Sequence, residues 1–263
     1  MHFIDQSMNR TTQAQMHKGY GTALFLMVLF IALILSGDRI FVAAPQHVEP
    51  EITVEKQYVS PYVSISPYDS IFRKAADSIF HCDWKLLAAI AFTESRFDST
   101  ARSDVGASGL MQVMPRTLRG MGVPDSLHMD THTNIMAAAT LLKDLNRIFR
   151  RIKESDERYN FILASYNAGV GQVNDAMRLA SKYGKNRYKW ENSVDSFLIL
   201  KSNPEYYNDS VCKNGQFKDW KQTLQFVRKV KRAWQRYENM QEAYNDSIYA
   251  LILSDSTIEV RRN

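Results

Sequence analysis

One glutamate lies where a predicted helix is otherwise apolar. Glu94 follows Ile90 by four residues and Leu87 by seven, so it shares the apolar face of the helix predicted over 84–95. Burial on that face raises the pKa of a carboxyl group and lets it keep a proton near neutral pH. A general acid needs such a proton. A glutamate near a helix end can also bend into solvent or pair with Arg96, and the helical pattern leaves both interpretations open.

Polar residues and glycines recur at two later places in the chain. The segment 106–115 contains two glycines, two methionines and Gln112, whose amide offers both a donor and an acceptor. Glycines let the backbone approach a ligand closely. Tyr166 and Asn167 stand just before another pair of glycines. Together with Glu94, these side chains would line a groove for a polyhydroxylated polymer that carries amide groups.

Metal and cysteine chemistry has less support. Cys82 and Cys212 are far apart and have no second cysteine or histidine at metal-ligand spacing, which excludes a zinc site or a disulfide framework. A single bridge between them stays open. His128 and His132 have the spacing of a metal pair, but the polar residues between them are typical of a loop and no further ligand cluster follows. We therefore expect neither a metal nor a cofactor.

Composition is that of a folded globular protein. The chain has 263 residues, of which 45% are hydrophobic, and this length favours one domain with appendages. The net charge of +5 suits an acidic polymer. No run of five or more basic residues occurs, so we expect no nucleic-acid partner.

Helical periodicity dominates from Pro67 onward, and strand signals are sparse. The pattern predicts a mainly α domain over 67–240, followed by a C-terminal helix or tail over 241–263. After a helix that starts at Pro67, the predicted helices cover 84–95, 134–152, 157–166, 172–182 and 222–237. On this late helix and just before it, Trp220, Trp234 and Tyr237 are interpreted as core residues rather than a sugar platform.

The N-terminal part predicts a membrane anchor. Residues 19–37 contain no charge, and nineteen residues at 1.5 Å rise come close to the thickness of a bilayer core. Basic residues precede this segment, so 1–18 should stay cytoplasmic and the rest should be exported. We expect an uncleaved transmembrane anchor at 19–37, an extended tether at 38–66, and a catalytic domain held in the periplasm at the inner membrane. The alternative is secretion after signal-peptide cleavage near 42–44.

Two ordered motifs resemble one family. Residues 87–117 are similar to the active-site segment of soluble-lytic-transglycosylase-type domains, with a Glu-Ser pair followed by Gly-Ala-x-Gly-Leu-Met-Gln-x-Met-Pro-x-Thr. The second signature of that family, Tyr-Asn-Ala-Gly, is matched at 166–169, and 204–209 resembles the membrane-bound lytic transglycosylase F branch. The resemblance covers about 70–237, which is the catalytic half of that branch.

The resemblance implies a lysozyme-like, goose-type helical domain that acts on peptidoglycan glycan strands. Members cleave the β-1,4 bond between N-acetylmuramic acid and N-acetylglucosamine with one carboxyl group, unlike glycosidases that use a carboxylate pair. Glu94 would protonate the glycosidic oxygen and then take the proton of the muramoyl 6-hydroxyl, which closes a 1,6-anhydro ring. By position, the residues implied to hold the sugars and orient Glu94 are Ser103, Gln112, Met114, Tyr166 and Asn167.

Two departures and two further carboxylates keep alternatives open. Gln222 and Phe226 stand where the family has Glu and Tyr, which leaves room for a catalytically impaired module that binds the cell wall or serves as a scaffold. Asp98 and Asp104 lie near Glu94 in sequence, and either one as a base would make a lysozyme-like hydrolase on the same fold. The sequence names no cell-wall or secretion assembly that recruits the protein.

Overall fold

The computed structural model describes residues 57–255 and 257–261. The described residues belong to the second of two units of the chain, Glu55–Asn263. The predicted cytoplasmic segment 1–18 and the predicted anchor 19–37 lie outside the described residues. Within the described ranges, no helix combines the length and the apolar character that a membrane span requires.

The described chain is mainly α-helical, as the periodicity predicts. Two three-residue strands, β1 (Gln57–Val59) and β2 (Ile258–Val260), pair in parallel with Gln57 opposite Ile258. The helices between them are α1 (Asp69–Ala75), which a π-helical turn extends over Ala76–Phe80, α2 (Trp84–Ser95), α3 (Pro115–Gly120), α4 (Thr131–Ile148), α5 (Ser155–Ala168), α6 (Val170–Lys182), α7 (Asp195–Leu200), α8 (Pro204–Tyr207) and α9 (Trp220–Ser254).

Side-chain caps fix where two of the longer helices begin. Asp83 accepts a hydrogen bond from the backbone N–H of Lys85 at 3.0 Å, which starts α2 where the sequence predicts it. Asp130 caps α4 by accepting from the N–H of Thr133 at 2.8 Å. The helix therefore begins at Thr131 rather than at Asn134, and the expected loop between His128 and His132 is wrong from Thr131 onward.

Helix α2 is the centre of the core. Residues 86–91 are fully buried, which is typical of a helix surrounded by other helices. Helix α9 packs along it, and the indole N–H of Trp234 donates to Asp83 at 2.7 Å while its ring meets Tyr159 edge-on. Tyr237 is buried on the same helix. Tyr237 belongs to the core, and Trp220 and Trp234 pack against it, as predicted. Trp234 also holds the N-terminal end of α2 through Asp83.

The last residues before the helical domain pack against its C-terminal helix. Helix α9 continues without a break from 220 across residue 240 to Ser254. The side chain of Gln241 accepts from the N–H of Val63 at 3.1 Å and donates to the carbonyl of Pro61 at 2.9 Å. The hydroxyl of Tyr244 donates to the carbonyl of Ser60 at 3.0 Å. The described part of the predicted tether, residues 57–66, is therefore bound to the domain through its strand β1 and its contacts with α9.

Candidate active site

Glu94 lies in the last turn of α2, where it is partly buried. Burial raises the pKa of its carboxyl group from the ordinary 4.5 to about 8. The guanidinium group of Arg96 lies 4.7 Å from the ring centroid of Phe92, and within the described chain it forms no ion pair with Glu94. The carboxyl group therefore keeps its proton at neutral pH, as its place on the apolar face predicts.

A loop over 101–113 lies against the end of α2. The hydroxyl of Ser95 donates to the carbonyl of Leu110 at 2.7 Å, which ties the loop to the residue after Glu94. Gln112 has a left-handed backbone with φ of 47°, and its side-chain NH₂ donates to the carbonyls of Ala101 at 3.0 Å and Gly109 at 2.8 Å. The amide of Gln112 therefore closes the loop, and only its Oε1 is left for a ligand.

The other two predicted residues of this segment differ in their roles. The hydroxyl oxygen of Ser103 accepts a hydrogen bond from the N–H of Ala107 at 2.9 Å, so its own O–H is available to a ligand. Met114 immediately precedes α3, and 41% of its surface is exposed. Ser103 thus supports the turn and also offers a donor, while Met114 offers an apolar surface.

Asn134, on α4, binds the backbone of the same loop. This role was not identified from the sequence. The fully buried side chain of Asn134 accepts from the N–H of Met111 at 2.8 Å. It donates to the carbonyls of Ser108 at 3.0 Å and His128 at 3.2 Å. Gly109 has φ of +75°, and a Cβ there would lie 2.8 Å from Nδ2 of Asn134. The available signal was an asparagine at an inward position of α4.

Tyr166 joins the loop to α5. Its hydroxyl donates to the carbonyl of Met111 at 2.7 Å. Burial raises the pKa of this phenol well above its ordinary value, and the charge of Glu94 raises it further. The ring stacks on Phe226 of α9 with 6.2 Å between centroids and 5° between planes. The two stacked rings thus pack beside the loop over 101–113.

Asn167 is oriented from α9. Its Oδ1 accepts from the hydroxyl of Thr223 at 2.7 Å, and Thr223 is fully buried. The side-chain NH₂ of Asn167 is left to donate to a ligand. Of the two departures from the family pattern, Phe226 is buried against Tyr166 whereas Gln222 is exposed. The sequence did not identify Thr223, whose partner lies 56 residues earlier.

The two nearby aspartates do not share the environment of Glu94. Asp98 is exposed and accepts hydrogen bonds from the hydroxyl of Thr100 at 2.7 Å and its N–H at 2.8 Å, which lower the pKa of its carboxyl group. Asp104 is also exposed. Asp98 is therefore a turn residue. The protonated carboxyl group of Glu94, with polar side chains on the neighbouring loop, is an arrangement suited to general acid–base chemistry.

Cysteine and histidine chemistry stays outside this arrangement. Cys82 and Cys212 are free thiols. His128 is buried with Nε2 3.3 Å from the carbonyl oxygen of Val123. Across residues 57–255 and 257–261, no cluster of three or more metal-ligating side chains occurs.

A family model described as "Transglycosylase SLT domain" matches residues 71–189. The resemblance carried by the two motifs is thereby confirmed. The matched segment contains Glu94, the loop over 101–113, Asn134 and the Tyr166–Asn167 pair. It ends before α9, which supplies Thr223 and Phe226.

Curated relatives of the chain have the name "Membrane-bound lytic murein transglycosylase F". The protein from Desulfosudis oleivorans is 36% identical over 159 residues, which cover 60% of this chain and 34% of the relative. The protein from Cellvibrio japonicus is 37% identical over 172 residues, covering 63% and 33%. This chain thus spans about a third of the length of these relatives. A solved structure, the 70 kDa soluble lytic transglycosylase of Escherichia coli, is 22% identical with a TM-score of 0.46 and covers 66% of this chain and 24% of that one.

Proposed function

We propose that this chain, whose residues 71–189 form a transglycosylase SLT domain, is a peptidoglycan lytic transglycosylase with a lysozyme-like, goose-type helical domain. It would cleave the β-1,4 bond between N-acetylmuramic acid and N-acetylglucosamine without water and leave 1,6-anhydro ends. The observation that carries the proposal is the burial of the Glu94 carboxyl group, which raises its pKa to about 8. Its charge also acts on the phenol of Tyr166. The names of the curated relatives support the same reaction.

Glu94 would act twice in this reaction. Its proton passes to the glycosidic oxygen while the bond to C1 breaks, and the N-acetyl group of the substrate supports the positive charge at C1. The ionised carboxylate, poorly solvated in its partly buried position, is then a stronger base than an exposed glutamate. It takes the proton of the muramoyl 6-hydroxyl, whose oxygen bonds to C1. The proton balance closes without a second carboxylate.

The polar side chains beside Glu94 would hold the sugars. The O–H of Ser103, the Oε1 of Gln112 and the NH₂ of Asn167 remain available to hydroxyl and N-acetyl groups after their contacts with the protein are made. Met114 would supply an apolar contact. Tyr166 would act through position, because its hydroxyl is bound to the carbonyl of Met111 and so helps to hold the loop over 101–113.

Digestion of purified sacculi followed by mass spectrometry tests the function. A lytic transglycosylase releases muropeptides with 1,6-anhydro ends, each lighter by one water than the product of hydrolysis. Reducing ends would show the lysozyme-like hydrolase instead. Binding to sacculi without release would show an impaired wall-binding or scaffold module, and either outcome would refute the proposal.

The activity is expected to fall as pH rises through about 8. Glu94 must be protonated to act as the acid, and burial places its pKa at about 8, so the active fraction is full below that pH and declines above it. Initial rates on sacculi between pH 5 and 10, on protein shown to stay folded, measure the profile. A rate that still climbs above pH 9 would contradict Glu94 as the acid.

We further propose that residues 19–37 anchor the protein in the inner membrane and hold the domain in the periplasm. The uncharged run supports this location, and the relatives are named membrane-bound. The full-length protein is expected to stay with membranes during alkaline carbonate extraction. A mature N-terminus between residues 37 and 46 would show cleavage and secretion instead.

A further inference from the structure

A hollow of about 360 Å³ lies where the C-terminal end of α4 approaches α6 and the segment that follows α6. Four arginines line it, Arg147, Arg150, Arg151 and Arg187, and the nearly buried Phe149 lies among them. None of the residues proposed to bind glycan belongs to this hollow. We refer to it as the arginine hollow.

The positive charge of the arginine hollow is poorly balanced. Arg147 pairs with Asp144 at 3.3 Å, but both side chains are largely exposed and such pairs are weak. Over the described residues, Arg150 and Arg151 enter no ion pair. The carbonyls at the end of α4 contribute only about half a negative charge. Four guanidinium groups, which stay charged at all relevant pH values, therefore leave a surplus.

Arg187 carries a second, independent sign of a ligand. Its Nε is buried, and in the part of the chain that the structure describes it has no hydrogen-bond acceptor. A buried donor without an acceptor is costly, and native structures seldom leave one in that state. A guanidinium group binds carboxylate and phosphate oxygens through paired N–H donors. An oxyanion is the kind of acceptor that matches this guanidinium group and the surplus positive charge around it.

The volume and the apolar lining residues of the arginine hollow indicate which class of ligand it would bind. A volume of about 360 Å³ lies within the range of sites for small organic molecules. Phe149 and Met177, with 3% and 5% of their surfaces exposed, give the hollow an apolar floor. We propose that the arginine hollow binds a small organic oxyanion, in which a carboxylate or phosphate group is attached to an apolar body. This site is independent of the glycan-cleaving site at Glu94.

Calorimetric titration of the full-length chain in a non-ionic detergent tests the proposal. The probes are phenyl phosphate, benzoate, inorganic phosphate and uncharged phenol. We expect saturable 1:1 binding of phenyl phosphate or benzoate, weakened by added salt because charge contributes to the affinity. The tighter of these two probes identifies the oxyanion. Phenol should not saturate, and inorganic phosphate should bind more weakly than phenyl phosphate because it lacks the apolar body.

Variants locate the binding. Arg187→Gln is expected to weaken binding of the better probe at least about tenfold, since it removes a charge-assisted hydrogen bond. Arg150→Gln/Arg151→Gln changes two exposed residues, so it tests the same site if Arg187→Gln fails to fold. Arg236→Gln, an exposed arginine of α9 outside the hollow, is the matched control. No saturable binding, or equal affinity in the double variant and the control, would overturn the proposal.

Discussion

Replacement of Glu94 by glutamine is expected to lower the release of anhydromuropeptides from sacculi by about 10²–10⁴-fold, the range typical for loss of general acid–base catalysis. Glutamine is nearly isosteric and keeps its hydrogen-bonding capacity, but it can neither donate the proton to the glycosidic oxygen nor accept one from the 6-hydroxyl. Because one residue serves both steps, we expect the upper end of the range. Binding to sacculi should be comparable to that of the unchanged protein.

A stability measurement distinguishes this result from misfolding. The folded chain holds the Glu94 proton up to a pKa of about 8, whereas the unfolded chain releases it near 4.5. Folding is therefore progressively disfavoured as pH rises from 4.5 to 8, and uncharged glutamine removes this penalty. The melting temperature of Glu94→Gln should exceed that of the unchanged protein at pH 9 and nearly equal it at pH 4.5.

Glu242→Gln, an exposed glutamate on α9, is the matched control and should change neither activity nor stability appreciably. Near-normal turnover of Glu94→Gln would contradict the single-carboxylate mechanism. Asp98 and Asp104 would then be the next residues to replace.

Replacement of Asn134 by alanine is expected to lower the free energy of unfolding by roughly 3 kcal/mol or more, because each unsatisfied buried group costs about 1–3 kcal/mol. The side chain of Asn134 satisfies three backbone groups, those of Met111, Ser108 and His128. Two of them belong to the loop that approaches Glu94, so activity should fall even where the variant remains folded. Urea unfolding and sacculus digestion at low temperature measure the two effects.

The chemistry of the amide can be separated from its volume. Asn134→Asp keeps an acceptor for the N–H of Met111 but faces two carbonyl oxygens without a donor, so it should be nearly as damaging as alanine. Asn239→Ala on the exposed side of α9 should stay within about 0.5 kcal/mol of the unchanged protein, as surface substitutions usually do. An Asn134→Ala variant with normal stability and activity would show that the loop over 101–113 keeps its conformation without Asn134.

The predicted fold agrees with the structure where a helix has both a capping residue and an apolar pattern in the sequence. Asp83 precedes an apolar run, and both the start of α2 and the burial of Glu94 follow from that pattern. Helix α4 begins at Thr131, earlier than the predicted 134, because Asp130 caps it and the apolar pattern alone does not include that cap. Helix α9 continues beyond its predicted end at 237, and there Gln241 and Tyr244 bind the backbone of residues 60–63. Apolar periodicity does not predict such contacts.

The sequence predicts the chemical groups of the candidate site better than it predicts the contacts that orient them. The motifs identified Glu94, Tyr166 and Asn167, while the contacts that orient the last two join residues 55 and 56 positions apart. Such pairs have no local signal. Gln112 has a second role that the motif does not predict. Its left-handed backbone turns the amide NH₂ toward the loop carbonyls, and Oε1 is left for a ligand.

The pairing of β1 with β2 has a mechanical consequence. Any tension that reaches the domain along the chain from its N-terminal side enters at Gln57, whose N–H is bound to the carbonyl of Thr257, while the N–H of Arg261 is bound to Val59. The load then passes through the contacts of Gln241 and Tyr244 into the outer end of α9. Glu94 lies on a different helix, whose residues 86–91 are fully buried. A pull on the chain would thus strain the strand pair and the outer end of α9 before it strained the contacts of Thr223 and Phe226 with Asn167 and Tyr166.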